Sequence, residues 1–168
     1  MPISLEPAAS ADAAAIAALR NAVADDLTRK HGRGWWSGGC TERGVLFDLR
    51  HSSIYGIRNH DGTAFTATLR LATKKPWAID QKYFTPCARP LYLTSMAVAP
   101  DCQRQGLGRQ CLAAAVEIAR RFPAQAICID AFDHDHAGAG PFYAKCGFRE
   151  VGRATYRSVP LIYYERLV

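Results

Sequence analysis

Between Leu91 and Phe132 the chain reads strand, glycine turn, helix, strand, and no other stretch restricts its possible folds so tightly. Leu91 to Val98 is β-rich and is stopped by Pro100; Gly106 to Arg121 directs Leu112, Val116 and Ile118 to one helical face; Ala126 to Phe132 is a buried strand. Two strands joined through such a helix form a right-handed βαβ unit with parallel strands.

The flanks add antiparallel and helical signals. Ile3 to Glu6 reads as an opening strand, and Ser10 or Asp12 can cap an Ala-rich helix bearing Ile16, Leu19, Val23 and Leu27 that ends near His31 and Gly32. Gly32 to Gly44, with five glycines and two tryptophans, is mostly loop, and a shorter helix is expected over Thr41 to Arg50. Ile54 to Arg58 and Ala64 to Thr73 flank Asn59-His60-Asp61-Gly62-Thr63, whose Asp-Gly step predicts a hairpin. Lys74 to Pro90, broken by Pro76 and Pro86, is a long irregular connection of the kind that usually serves function. Beyond the loop Asp133 to Gly140 come a short helix (Pro141 to Lys145), a stop at Gly147, and β-like runs over Phe148 to Arg157 and Leu161 to Leu167. With no repeat and no linker, residues 1–168 are expected to form a single α/β domain with a core that needs no staples.

Charge and cysteine usage narrow the function classes. Lys and Arg number 21 against 15 Asp and Glu, a net charge of +6, but the basic residues form no run longer than a pair such as Lys74 and Lys75. Dispersed charge of this kind suits a polyphosphate ligand and argues against a nucleic-acid patch. The apolar stretches fall far short of the roughly 20 residues of a membrane span, so no membrane partner is expected. Six cysteines without a secretory leader read as reduced, mostly buried thiols in a cytoplasmic protein.

The chemistry sits in the turn Gln103-Arg104-Gln105-Gly106-Leu107-Gly108-Arg109. Glycines let backbone approach a ligand closely, and the free N–H groups of a helix start attract pyrophosphate, helped by Arg104 or Arg109. A Walker A loop needs Gly-Lys-Ser/Thr, where Leu107-Gly108-Arg109 stands; a dinucleotide fingerprint needs glycine where Cys111 stands. Downstream lies Phe142-Tyr143-Ala144-Lys145-Cys146-Gly147-Phe148.

Taken in order, these two motifs resemble those of the GNAT-type N-acetyltransferases: Gln/Arg-x-x-Gly-x-Gly/Ala, filled by Gln103, Gly106 and Gly108, then aromatic-Tyr-x-Lys-x-Gly-Phe. The resemblance implies a mixed, mostly antiparallel sheet flanked by helices and splayed at its central parallel pair, with acetyl-CoA as donor and no metal. It implies that backbone of Met96, Ala97 and Val98 pairs with the pantetheine arm, that N–H groups from Gln103 to Arg109 hold the pyrophosphate, and that Tyr143 protonates the departing thiolate. His136 stands where many relatives carry an Asn, seven residues before that tyrosine.

The base that frees the acceptor amine stays open among Thr94, Ser95, Asp130, His134 and His136. Trp35, Trp36, Tyr83 and Phe84 are expected at the acceptor site, since aromatic faces suit a cationic amine, although they could equally be lids over the core. Long aromatic loops favour a small-molecule amine over a protein or peptide acceptor; the remaining reading is a non-catalytic acyl-CoA-binding module. A homodimer is compatible with all three.

Overall fold

A computed structural model describes residues 3–168. Among the described residues the strands are β1 (Glu6–Pro7), β2 (Ser53–Arg58), β3 (Phe65–Ala72), β4 (Pro90–Val98), β5 (Ala126–Phe132), β6 (Arg149–Tyr156) and β7 (Val159–Leu167). The helices are α1 (Ala13–His31), α2 (Glu42–His51), α3 (Leu107–Arg121) and α4 (Gly140–Lys145). The strands follow the order β1-β2-β3-β4-β5-β7-β6. This is a mixed sheet flanked by helices, as the sequence implied. The chain divides into two compact units, one holding residues up to Leu71 with Ser95–Ala114, the other Ala72–Thr94 with Ala115–Val168. β4 and α3 therefore contribute to both.

In the first unit β1 pairs antiparallel with β2, Glu6 opposite Gly56 and Pro7 opposite Tyr55. The pairing falls at Glu6–Pro7 rather than over Ile3 to Glu6; proline is tolerated there because β1 is an edge strand. β2 and β3 form the expected hairpin, with Gly62 at φ +75° and its N–H donating to the Asn59 carbonyl at 3.0 Å. Before α1, Asp12 accepts from the Ala9 N–H at 2.8 Å and from Arg58 at 2.9 Å. Helix α1 ends at Gly32, φ +78°, a conformation that glycine adopts without cost. Thr41 caps α2 by accepting from the Gly44 N–H at 3.1 Å. Ala13, Ile16, Ala17 and Leu19 of α1 close over Val45, Ile54, Phe65 and Ala97, and each fully buried large side chain there contributes about 1.5–3 kcal/mol.

In the second unit β4 and β5 pair in parallel, with Pro90 beside Ala126, Leu91 beside Ile127 and Tyr92 beside Cys128. β5 pairs antiparallel with β7, and β7 with β6. The core gathers Ile79, Phe84, Tyr92, Ala126, Cys128, Leu161 and Tyr163. The long connection after β3 is irregular as expected, yet anchored: the Tyr163 hydroxyl donates to the Ala78 carbonyl and accepts from the Asp80 N–H at 3.2 Å. Among the described residues no disulfide joins the six cysteines, and burial pushes the thiols of Cys111 and Cys128 up to about 11 and about 12. Among the described residues no helix is long and apolar enough to cross a membrane.

Candidate active site

The glycine turn lies wholly in the first unit. After β4 a 3-10 turn over Pro100–Cys102 leads into it, and the Gln103 side chain donates to the Val98 carbonyl at 3.0 Å while that of Gln105 donates to the Asp101 carbonyl at 2.8 Å. Both amides brace the turn from within. The first helical N–H to find an acceptor is that of Gln110, which donates to Gly106 at 3.1 Å. Among the described residues no acceptor engages the backbone N–H groups of Arg104 to Arg109, and neither arginine there has an ion-pair partner. Arg104 and Gly106 have φ of +59° and +84°, turning successive peptide groups into a concave run of donors. A Cβ on Gly106 would meet only Gln110 Nε2, at 3.9 Å, so the space above the glycine is open. Such an arrangement takes up an anion.

Ser95, within β4, also has positive φ, +51°. The β-rich pattern of Leu91 to Val98 gave no sign of it. A non-glycine residue pays about 1–2 kcal/mol for this conformation, and it breaks the strand's alternation just before Met96, Ala97 and Val98. Ala97 is buried in the first-unit core, while Met96 and Val98 are half-buried.

Tyr143 lies in the second unit, on α4. The helix begins at buried Gly140, whose missing Cβ leaves room for the Tyr164 hydroxyl, and ends at Lys145; Arg166 donates to the carbonyl of Cys146, its C-cap, at 2.9 Å, and Gly147 turns the chain away at φ +84°. The Tyr143 ring packs against Phe148 and Tyr164 at centroid distances of 6.1 and 6.0 Å. Its hydroxyl makes no hydrogen bond within the described protein. Burial pushes the phenol well up, and the charges of Asp130 and Cys146 push it further, so the ring carries its proton throughout the ordinary pH range.

The model of the acetyltransferase (GNAT) family matches residues 21–148, which include both motifs and the turn between β4 and α3. The chain belongs to the GNAT acetyltransferase family. Solved structures agree on the fold. A GNAT-family acetyltransferase from Listeria monocytogenes superposes with a TM-score of 0.73 at 16% identity, covering 98% of this chain and 94% of that one. The ribosomal-protein-alanine N-acetyltransferase of Brucella melitensis gives 0.71 at 16%, covering 99% and 100%. The structure of yncA from Salmonella typhimurium with its cofactor acetyl-CoA gives 0.67 at 16%, covering 99% and 94%. No curated protein matches the chain in sequence.

As a GNAT acetyltransferase the protein uses acetyl-CoA as its donor, and the unengaged donors of Arg104 to Arg109 fit a pyrophosphate. Among the described residues no group of three or more His, Cys, Asp and Glu side chains could hold a metal ion. The His134 ring instead accepts from the N–H groups of His136, at 3.2 Å, and Ala137, at 2.9 Å, ordering its own loop. Of the aromatic candidates, Trp36 is buried and donates from Nε1 to the Gly32 carbonyl at 3.2 Å, while Trp35 is 43% exposed. Phe84 is buried against Tyr163, 5.3 Å between centroids. Tyr83 is half-buried over Gly152, and its ring already carries the Lys82 ammonium 5.1 Å from its centroid.

Proposed function

We propose that this acetyltransferase acetylates a primary amine of a small molecule. The observation that carries the reading is the run of unengaged N–H donors from Arg104 to Arg109, flanked by two unpaired guanidinium groups. In this reading the backbone of Met96, Ala97 and Val98 holds the pantetheine arm, Gln103 to Arg109 hold the pyrophosphate, and the Tyr143 hydroxyl protonates the leaving thiolate. Acetyl-CoA supplies an acyl group activated as a thioester. An ammonium acceptor suits the exposed indole of Trp35 and the face of Tyr83, where a cation already rests; Trp36 packs edge-on against Trp35, and Tyr83 and Phe84 both pack on Tyr163. Six cysteines outside any disulfide suit a reducing compartment, the cytoplasm.

Release of free thiol from acetyl-CoA, followed with a thiol reagent against a panel of small primary amines and of peptides with free N-termini, tests this. Turnover confined to the small amines supports the reading. Turnover confined to peptides replaces it with a peptide N-acetyltransferase, and acetyl-CoA binding without thiol release to any acceptor replaces it with an acyl-CoA-binding module.

A further inference from the structure

The carboxylates that are not exposed pair with cations, with one exception. Asp12 pairs with Arg58, Asp26 with Lys30, Asp48 with Arg20, Asp80 with Lys82, Asp133 with Arg153 and Glu165 with Arg149. Asp130 has no such partner: among the described residues no cation and no other residue's donor reaches its carboxylate. In a chain with 21 Lys and Arg, that vacancy is not explained by a shortage of positive charge.

Asp130 sits on β5 opposite Tyr163, two residues beyond Cys128 and therefore on the same face of the strand. On β4, Thr94 stands two residues beyond Tyr92, the parallel partner of Cys128, so Thr94 and Asp130 occupy the next same-face positions along the two strands. Thr94 Oγ1 is buried and, among the described residues, has no hydrogen-bond partner. The Tyr163 hydroxyl across from Asp130 cannot help either, being committed to Ala78 and Asp80. An apolar face built on Tyr92, Cys128 and Tyr163 thus ends in a half-buried carboxylate and a buried hydroxyl that, among the described residues, both lack partners. Burying a carboxylate without a counter-charge is costly, and an ammonium ion with N–H groups for both oxygens relieves the cost.

We propose that Asp130 takes the proton from the acceptor's ammonium group while the Thr94 hydroxyl accepts a hydrogen bond from the same nitrogen. This rests on the amine-acetylation reading and supplies its base. The balance is as follows. One proton passes from the ammonium to the Asp130 carboxylate, the neutral nitrogen forms its bond to the acetyl carbon, and the bond to sulfur breaks with its electron pair on sulfur. As the amide forms, a second proton leaves nitrogen and, through solvent, restores on Tyr143 the one that its hydroxyl gives to the departing thiolate, while the proton on Asp130 returns to solvent, so that ammonium and thioester yield amide, thiol and one free proton. The charge on Asp130 is one cause of the high Tyr143 pKa, so neutralising the carboxylate makes the phenol a better acid when the thiolate needs its proton.

The experiment compares wild type with Asp130→Asn on two acceptors: the best amine of the panel, an ammonium at pH 7, and hydroxylamine, which is already neutral there. For the ammonium acceptor kcat/KM is expected to fall about 10²–10⁴-fold, with the acid limb of its pH profile lost; transfer to hydroxylamine and acetyl-CoA affinity are expected to stay near wild type, and Tm to hold or rise, since the variant no longer carries the unpaired charge. Within its unit Asp130 shares its face with Tyr163 from β7 and with Cys128, and its charge is felt by Tyr143 from α4; all three groups are pushed upward and stay neutral through that limb. Thr94→Val should raise the ammonium acceptor's KM and Thr94→Ser restore it. Equal losses on both acceptors, or none on either, overturn the assignment. A wild-type protein that binds acetyl-CoA but acetylates no amine overturns the amine-acetylation reading itself, and the base with it.

Discussion

The Glu165 carboxylate on β7 accepts hydrogen bonds from both the backbone N–H and the hydroxyl of Thr85, at 2.9 and 2.6 Å. Glu165 is 2% exposed, so this contact fastens the irregular connection after β3 to the sheet from inside the core. Burial alone would raise the carboxyl's pKa, but the bonds from Thr85 and Arg149 outweigh it and hold the group below its usual 4.5.

Glu165→Gln should therefore cost about 1–3 kcal/mol near neutral pH, the range for a buried donor or acceptor left unsatisfied. Because the folded pKa is depressed, the carboxylate's contribution is fully present above the unfolded value and is lost as pH falls through the folded one. Urea unfolding at a series of pH values checks this: the gap between wild type and variant should close on the acid side. A gap independent of pH would mean that Glu165 acts through shape alone.

Gly106→Ala separates the anion site from the fold. The new Cβ meets only Gln110 Nε2 at 3.9 Å, so within the protein the cost is confined to holding alanine at φ +84°, about 1–2 kcal/mol. Displacing one charge-assisted N–H bond to phosphate costs a further 1.5–3 kcal/mol, which corresponds to an acetyl-CoA Kd raised roughly ten- to hundredfold. Calorimetric titration with acetyl-CoA should show that rise alongside a modest fall in Tm; unchanged affinity would place the pyrophosphate elsewhere.

Much of this architecture was legible before any coordinates. The strand over Ala126 to Phe132, the hairpin around Gly62, the helix stops at Gly32 and Gly147 and the parallel β4–β5 pair all follow from local periodicity and from residues that punctuate it. Features set by tertiary demand were not. Arg157 and Ser158 both take positive φ in the β6–β7 turn although neither is the Asn or Gly that such a turn usually recruits, and β7 inserts between β5 and β6, an order that no periodicity encodes. Asp130 and Thr94 could be named as candidates from their positions, but their lack of partners is a property of packing.

Gly140 allows α4 to lie against Tyr164, because a Cβ there would run into the tyrosine hydroxyl. Gly140→Ala should shift the start of α4, lowering Tm and displacing Tyr143 three residues on. Adding Tyr164→Phe removes the colliding oxygen and should recover much of the loss. Calorimetry of the single and double variants checks the coupling, and simple additivity would show that the contact is relaxed by other means.

Trp35 and Trp36 should separate packing from recognition. Trp36, 8% exposed and hydrogen-bonded to Gly32, is expected to cost about 3–5 kcal/mol when cut to alanine. Trp35→Ala, with 43% of its residue surface already exposed, should leave Tm near wild type and raise the acceptor's KM at constant acetyl-CoA affinity. Unchanged KM in that variant would remove Trp35 from the acceptor site.

Tyr143→Phe isolates the proton. The ring's packing on Phe148 and Tyr164 is retained, and the hydroxyl forms no hydrogen bond within the described protein, so the variant should fold with a Tm close to wild type. The phenol, held neutral by its burial, always has a proton to give, and a departing thiolate is the group that needs one. A positioned acid contributes about 10²–10⁴-fold, and because a thiolate already leaves tolerably the loss in kcat should lie near the lower end, with acetyl-CoA binding little changed. A thiolate-like leaving group of lower pKa should narrow the difference between the two enzymes, since it needs the proton less. Single-turnover rates with both donors decide the matter: near-wild-type chemistry in the variant would make Tyr143 a packing residue and hand the proton to water.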